Sequence, residues 1–398
     1  MVSHSLPPEL LLDILVRLPV KYLLRARCVC KSWMFLIRSP AFVYAFNNRA
    51  LVHSESKNPL LLYRYYSEDD GADHYGLCYE NRLFFAEFSE IKFPFRSANK
   101  FFRIVGYCNG LMCLTDDIPS FTDTVIIWNP SIRKSVTLPG SPSIEMRSGE
   151  VFNYVVGFGI DGINDEFKVV RIIYLLERGL QNSITKVEIY SLRSGHWREI
   201  SVPFPYYILK DFWSEAFVKG AVHWIAEENP SKEGHDQKLV LTRFEVGHNH
   251  KLVLSFDMAE ETFREVELPD CLASEYFLNL HVGVIRESLS LFQYQYPWSK
   301  SCCIWIMDNY GVKESWFKLV QFDLSALLLR PVGLRKNGEV LGEGWNERMI
   351  IYDPMSQLVK NVEINGTTAA DISFYIANYV ESLTLLDGET RDHNRQEI

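Results

Sequence analysis

The chain begins in a helical rhythm and then leaves it. Leu11, Ile14, Leu15 and Leu18 recur at i, i+3, i+4 and i+7, the spacing of one helical face, in a stretch opened by Pro7 and Pro8 and closed by Pro19. Val20 to Ala26 predicts a second short helix with Leu23 and Leu24 apolar, and Val29, Trp33, Leu36 and Ile37 carry the spacing to Ser39-Pro40 as a third. Three helices this short enclose little apolar surface, and units of this size usually need a metal, disulfides or a partner to stay folded. No metal or disulfide motif is on offer, so part of that surface is expected to dock on another protein or on the rest of the chain.

From about residue 50 onward, short β-branched and aromatic runs alternate with Gly, Asn, Asp and Pro turns, which is an all-β signature. One pattern returns five times. An apolar strand ends on Asn129, Ser191, Asp257, Asp308 or Asp353, a polar turn follows, and the next strand often stops at Leu-Pro. Most copies follow another strand that starts after a turn, at Asn109-Gly110, Lys219-Gly220, Glu287-Ser288 and Asn337-Gly338. Units of three to four strands every ~45 to 65 residues lie near the kelch period of about 50 and predict a β propeller. Five blades fall between 104 and 365. Strands near 51 to 66 and 76 to 95 are expected to join a last strand, Phe374 to Leu386, and close a ring of six. The expected organisation is multidomain, α plus all-β: a three-helix head over 1–46, a linker and first propeller strands over 47–103, the propeller over 104–386, and a disordered tail over 387–398.

Charge adds a direction. The 398 residues carry 41 Lys and Arg against 50 Asp and Glu, a formal charge of −9. Residues 1–46 run the other way, with Arg17, Lys21, Arg25, Arg27, Lys31 and Arg38 against Glu9 and Asp13, so the head is +4 and the remainder −13. A basic head reads either as a solvated helix face or as complementarity to an acidic partner surface, and an acidic remainder suits a basic target. An acidic chain without a Lys/Arg block argues against nucleic acid. The run Leu10 to Leu18 is broken by Asp13 and Arg17 and preceded by Glu9, unlike a signal peptide, and no stretch reaches the roughly 18 uncharged apolar residues of a spanning helix. The expected location is cytoplasmic or nuclear, without membrane contact. Eight cysteines without a C-x-x-C pair read as reduced core thiols. Asn365-Gly366-Thr367 matches a glycosylation acceptor but has no consequence inside a cell.

Candidate chemistry changes little. Gly157-Phe158-Gly159-Ile160-Asp161-Gly162 satisfies G-x-G-x-x-G, yet the next residues, Phe167 to Ile173, read as a strand, whereas a dinucleotide fingerprint must open a helix. His248 and His250, with Glu245 and Asp257 nearby, make too thin a set for a metal. No H-E-x-x-H, G-x-S-x-G or Walker sequence occurs, so neither catalytic residue, metal nor cofactor is expected. Trp128, Trp197, Trp224 and Trp316 recur at what read as corresponding strand positions, as core packing between blades. Target-contacting segments are expected on long polar connections around Asp69, Ser143, Lys232 and Trp298.

The residues of the head carry a family resemblance. Leu6-Pro7, Glu9-Leu10, Asp13-Ile14-Leu15, Arg17-Leu18-Pro19-Val20-Lys21, Leu23-Leu24, Val29-Cys30-Lys31-Ser32-Trp33, Leu36-Ile37 and Ser39-Pro40 resemble an F-box without a gap. Gly106 to Leu111, Trp128-Asn129-Pro130, Gly157-Phe158-Gly159, His223-Trp224, Ser255-Phe256-Asp257 and Trp305-Ile306-Met307 resemble the kelch-like F-box-associated domain of plant F-box proteins. The resemblance implies a substrate-recognition subunit of a Skp-cullin-F-box ubiquitin ligase. A Skp-type adaptor would be held, on helical-face reasoning, by Leu6, Pro7, Leu10, Ile14, Leu15, Leu18, Pro19 and Leu24, with Val29, Cys30 and Trp33 knitting the helices together. The adaptor would link the chain to a cullin, and the propeller would bind a target protein for ubiquitination and degradation. Ser299 to Cys302 and Glu287 to Leu289 look like S-locus F-box proteins, which implies an alternative role as a pollen receptor for stylar ribonucleases in self-incompatibility. A second alternative is a propeller that binds or converts a small ligand.

Overall fold

A computed structural model describes residues 7–53, 59–67, 71–80, 89–99, 101–116, 122–142, 150–176, 183–208, 216–228, 250–273, 279–294, 301–323, 328–335, 337–344, 349–362 and 375–386. The tail from 387 and the Asn365 site lie outside them.

Four helices come first among the described residues. α1 (Pro8–Leu15) starts on a proline, whose missing N–H costs nothing at a helix start. α2 (Val20–Ala26) has Pro19 just before its first residue, α3 spans Lys31–Arg38, and α4 spans Pro40–His53. The expected stop at Ser39-Pro40 is instead a junction. The Ser39 hydroxyl donates to Leu36 O at 2.7 Å, closing α3, and accepts from Phe42 N at 3.3 Å, opening α4 with Pro40 as its first residue. α4 therefore runs through residues 47–53, where a linker and a strand from 51 were expected. Its pattern hides it, because Phe42 and Phe46 are buried while Tyr44 and Val52 face solvent, so apolar residues occupy both sides.

Six sheets, each at least four strands across, follow. Sheet one holds β1 (Leu60–Ser67), β2 (Ala72–Tyr79) and β3 (Ser89–Ile91). Sheet two is β4 (Arg103–Cys108), β5 (Leu111–Thr115), β6 (Val125–Asn129) and β7 (Lys134–Thr137). Sheet three is β8 (Glu150–Asp161), β9 (Glu166–Leu176), β10 (Ser183–Ser191) and β11 (His196–Ile200). Sheet four has its first strand in two pieces, β12 (Tyr206–Ile208) and β13 (Ala216–Val218), both paired with β14 (Ala221–Glu228), then β15 (Lys251–Asp257) and β16 (Thr262–Val266). Sheet five is β17 (Asn279–Ile285), β18 (Ser288–Tyr294), β19 (Ser301–Met307) and β20 (Trp316–Asp323). Sheet six is β21 (Leu328–Leu334), β22 (Val340–Gly344), β23 (Met349–Asp353) and β24 (Leu358–Asn361). The last strand, β25 (Tyr375–Tyr379), pairs antiparallel with β1, Leu60 opposite Tyr379, so the end of the propeller completes the sheet at its beginning. The fold is an N-terminal set of helices followed by a six-bladed β propeller.

The recurring Asn/Ser/Asp at the end of the third strand has a physical cause at four of its five positions. Asn129 Oδ1 accepts from Ser131 N, Asp257 Oδ1 from Ala259 N and Glu260 N, and Asp353 Oδ1 from Met355 N, each at 2.9 Å, while Ser191 Oγ accepts from Ser194 N at 3.0 Å. These side chains close the hairpin by imitating a backbone turn. Asp161 does the same between β8 and β9, accepting from Ile163 N and Asn164 N, so the G-x-G-x-x-G stretch ends in a β hairpin and opens no helix.

The chain divides into two compact units, one of the helices with blade one and most of blade two, the other of Ile104–Gly106 of β4 and blades three to six. In the first, β5 and β6 are buried at every position, and Trp128 packs between Tyr75 and Phe93 with ring centroids 4.9 Å from each. In the second, Val170, Ile172, Trp224, Leu254 and Phe256 form one apolar cluster, and Val253, Leu268, Leu272 and Leu291 another. Outer strands β11 and β16 expose most of their residues, as edge strands over a core should.

Of the four tryptophans, only Trp197 and Trp316 occupy corresponding positions, both on fourth strands, where their indoles donate to Pro139 O at 2.7 Å and Glu267 O at 3.0 Å. Trp128 lies on a third strand and Trp224 on a second. All four are core residues.

Candidate docking surface on the helical head

Leu15, Val16, Val20, Leu23, Ala26, Ile37, Phe42 and Phe46 are buried together, and Leu11, Leu12, Leu18, Leu24, Trp33 and Leu36 pack half-buried against them. This arrangement splits the residues expected to meet a partner. Leu10 and Ile14, one helical turn apart on α1, are 53% and 47% exposed and face outward. Pro7 and Pro19 are exposed, and Leu18 and Leu24 are half-buried at the margin. Leu15 is corrected: at 1% exposure it belongs to the head's own core, because the helix turns it about 100° from Ile14 into Val20 and Phe42. Leu6 lies outside the described residues.

The packing trio is corrected in two of its three members. Trp33 does pack against the core, but Val29 is 66% exposed in the turn after α2 and Cys30 is exposed at the cap of α3. The turn Arg27 to Cys30 joins α2 to α3 and leaves Val29 exposed, as Tyr22 and Phe35 are at 53% and 67%. The amide N–H of Trp33 and the Ser32 hydroxyl lower the Cys30 thiol below its ordinary pKa. The core-thiol expectation holds for Cys78, Cys108, Cys113, Cys302 and Cys303, and fails for Cys28, Cys30 and Cys271, which are exposed.

Lys21, Arg25 and Lys31 of the head are exposed as well. Arg17 is engaged by Asp13 one turn earlier at 2.8 Å, both side chains more than half exposed, a pair worth at most a few tenths of a kcal/mol. The head thus exposes apolar residues, Leu10 and Ile14 together on α1, as well as basic ones, over a core formed by other side chains.

The propeller-side candidates at Asp69, Ser143, Lys232, Trp298 and His248 lie outside the described residues. Among the described residues, no group of three His, Cys, Asp or Glu side chains is placed to hold a metal. Charged groups inside the second unit are consumed by structure. Lys168 Nζ donates to Asp161 Oδ2 and Glu261 Oε1 at 2.9 Å and to Met258 O at 2.8 Å. Arg171 pairs with Glu188 at 3.1 Å and covers the Trp197 ring at 3.9 Å. Sequence reading missed these pairs, whose charged residues sit in otherwise apolar strands and look solvated until the register is known.

Comparison with known proteins bears on both parts of the chain. A family model described as an F-box domain matches residues 3–44, and one described as an F-box associated beta propeller domain matches residues 86–385. Similar curated proteins come from Arabidopsis thaliana. F-box protein At3g07870 is 27% identical, covering 91% of this chain and 88% of its own length, and F-box protein CPR1 is 27% identical over 96% and 89%. F-box/kelch-repeat protein At3g23880 is also 27% identical, over 85% of each. Among solved structures, an oligogalacturonate lyase in complex with manganese overlaps 76% of this chain and 78% of its own at a TM-score of 0.38 and 10% identity, too loose a likeness to argue from.

Proposed function

The chain belongs to the F-box proteins that carry an F-box-associated β-propeller domain, a family whose general role is that of an SCF-type substrate adaptor, and from that premise we propose how this member works. Leu10 and Ile14, together with the exposed Val29, Tyr22 and Phe35, contact a Skp-type adaptor, which links the chain to a cullin scaffold in the cytoplasm or nucleus. The propeller holds a target protein. The chain's own contribution is proximity: it raises the effective concentration of target lysines near a ubiquitin-loaded enzyme and supplies no reacting group. The −13 charge outside the head favours a basic target, whose approach it would speed.

The observation that carries this reading is the outward pair Leu10 and Ile14 on a helix whose other face is already buried. Co-purification of the intact chain with a plant Skp-type adaptor tests it. Ile14→Asp places a charge where an apolar partner must close and should abolish the complex while circular dichroism stays unchanged. An unaltered complex with Ile14→Asp, or none with the intact folded chain, would overturn the docking assignment.

A further inference from the structure

The segment after β25 packs into the helical head. Leu383 is fully buried and Leu386 is 6% exposed, and both belong to the head's core with Leu15, Val20, Leu23, Ile37, Phe42 and Phe46. Polar contacts fix the register. Asn47, in the middle of α4, donates from Nδ2 to Thr384 Oγ1 at 3.0 Å, and its Oδ1 accepts from Leu383 N at 3.0 Å and from Ser382 Oγ at 3.3 Å. Glu381 Oε2 lies 3.4 Å from Val20 N, the first amide of α2, a helix with no side-chain cap of its own.

The same few residues are gripped from the propeller side. Asn129 Nδ2 donates to Ser382 O at 3.0 Å and Thr384 O at 2.8 Å, and Ser131 Oγ lies 2.6 Å from Tyr379 Oη. Tyr107 Oη accepts from Val380 N at 2.6 Å and from Gly110 N at 3.1 Å. Gly110 has φ +86°, and a Cβ there would collide with the Cβ of Ser382 and come within 2.9 Å of Val380 O. Two motifs of the sequence, Tyr107-Cys108-Asn109-Gly110 and Trp128-Asn129-Pro130, thus converge on one segment.

We infer that residues 380–386 are an intramolecular clasp that completes the core of the F-box, so that the head becomes competent for its adaptor only once the chain has been made to Leu386 and β25 has paired with β1. The part of this inference that concerns the adaptor rests on the proposed function; the part that concerns folding does not. A chain ending short of the clasp would keep the entire F-box sequence and lack the residues that fill its core. Such a product would not be recruited to a ligase.

Four full-length-based proteins test this: chains stopped after Tyr379 and after Leu386, and the point variants Leu383→Ala and Asn47→Ala. Hydrogen exchange reads the fold of the head, with β8 to β11 as an internal control, and co-purification with a Skp-type adaptor reads its competence. The stop after Tyr379 and Leu383→Ala are expected to speed exchange across α2 to α4 by about a hundredfold, and Asn47→Ala by about tenfold, with parallel loss of adaptor. The stop after Leu386 is expected to match the intact chain. Should the early stop prevent folding altogether, the two point variants decide the matter alone. Protection of α2 to α4 left unchanged by Leu383→Ala overturns the clasp, whereas failure of the intact chain to hold the adaptor overturns only the proposed function, because the exchange arm stands without it.

Discussion

At the turn between β17 and β18 the chain adopts a conformation its residues do not favour. Ile285 pairs with Ser288, leaving Arg286 and Glu287 as a two-residue loop with φ of +49° and +63°. The equivalent loops use Asn109-Gly110 and Lys219-Gly220, with at least one residue that tolerates the left-handed region. Two L side chains there each carry a cost of order 1 kcal/mol. Replacing Arg286 and Glu287 by Asn and Gly should therefore raise unfolding stability by about 1 kcal/mol, less the entropy that glycine returns to the unfolded chain. Urea denaturation measures it, and a lowered midpoint would show that contacts of Arg286 or Glu287 outweigh backbone strain. That these loops are turns is legible in the sequence because Gly and Asn mark them. The strained pair carries no such mark, and only the spacing of its neighbours reveals it.

Between strands, one buried histidine ties β13 and β14 to the segment after β19. His223 is fully enclosed. Its Nδ1 lies 3.0 Å from Ala216 O, which can only accept, so Nδ1 holds the proton and Nε2 accepts from the Tyr310 hydroxyl at 2.7 Å. Desolvation lowers its pKa to about 4 from an ordinary 6.5. The unfolded chain therefore binds a proton at a pH where the folded chain does not. The stability held by neutral His223 is complete above pH 6.5 and is lost as pH falls from there toward about 4, up to about 3 kcal/mol. His223→Gln, which keeps a donor and an acceptor, should flatten the stability profile in that window; an unchanged slope would assign the titration elsewhere. Sequence reading placed His223-Trp224 in a strand but had no means of seeing Tyr310 opposite it. In the head, likewise, periodicity found α1 to α3, but Leu15 and Ile14 look equivalent until it is known which side Leu383 fills. Asn47 and Thr384 are 337 positions apart in sequence, beyond the reach of any local pattern. The Leu383 and Leu386 spacing is visible in the sequence, where it reads as the end of a strand.

For the molecule as a whole, the propeller repeat was legible because blades two, three, four and six reuse the same hairpin chemistry after their third strand, while the join between head and propeller was not, because it is made once. Two units with separate cores should also respond separately to damage. Glu188 is the sharpest probe of the second unit: 2% exposed, it pairs with the fully buried Arg171 and accepts from Ser141 Oγ at 2.8 Å. Removing it strands a buried guanidinium, a loss of about 3 to 5 kcal/mol. Glu188→Ala is accordingly expected to speed hydrogen exchange in β8 to β11 and lower the melting temperature, yet leave exchange in α1 to α4 and recovery of a Skp-type adaptor at the level of the intact chain. Leu383→Ala should produce the reverse pattern. If Glu188→Ala instead releases the head and the adaptor together, the propeller and helices fold as one cooperative body, and adaptor binding would then report on the integrity of every blade rather than on the clasp alone.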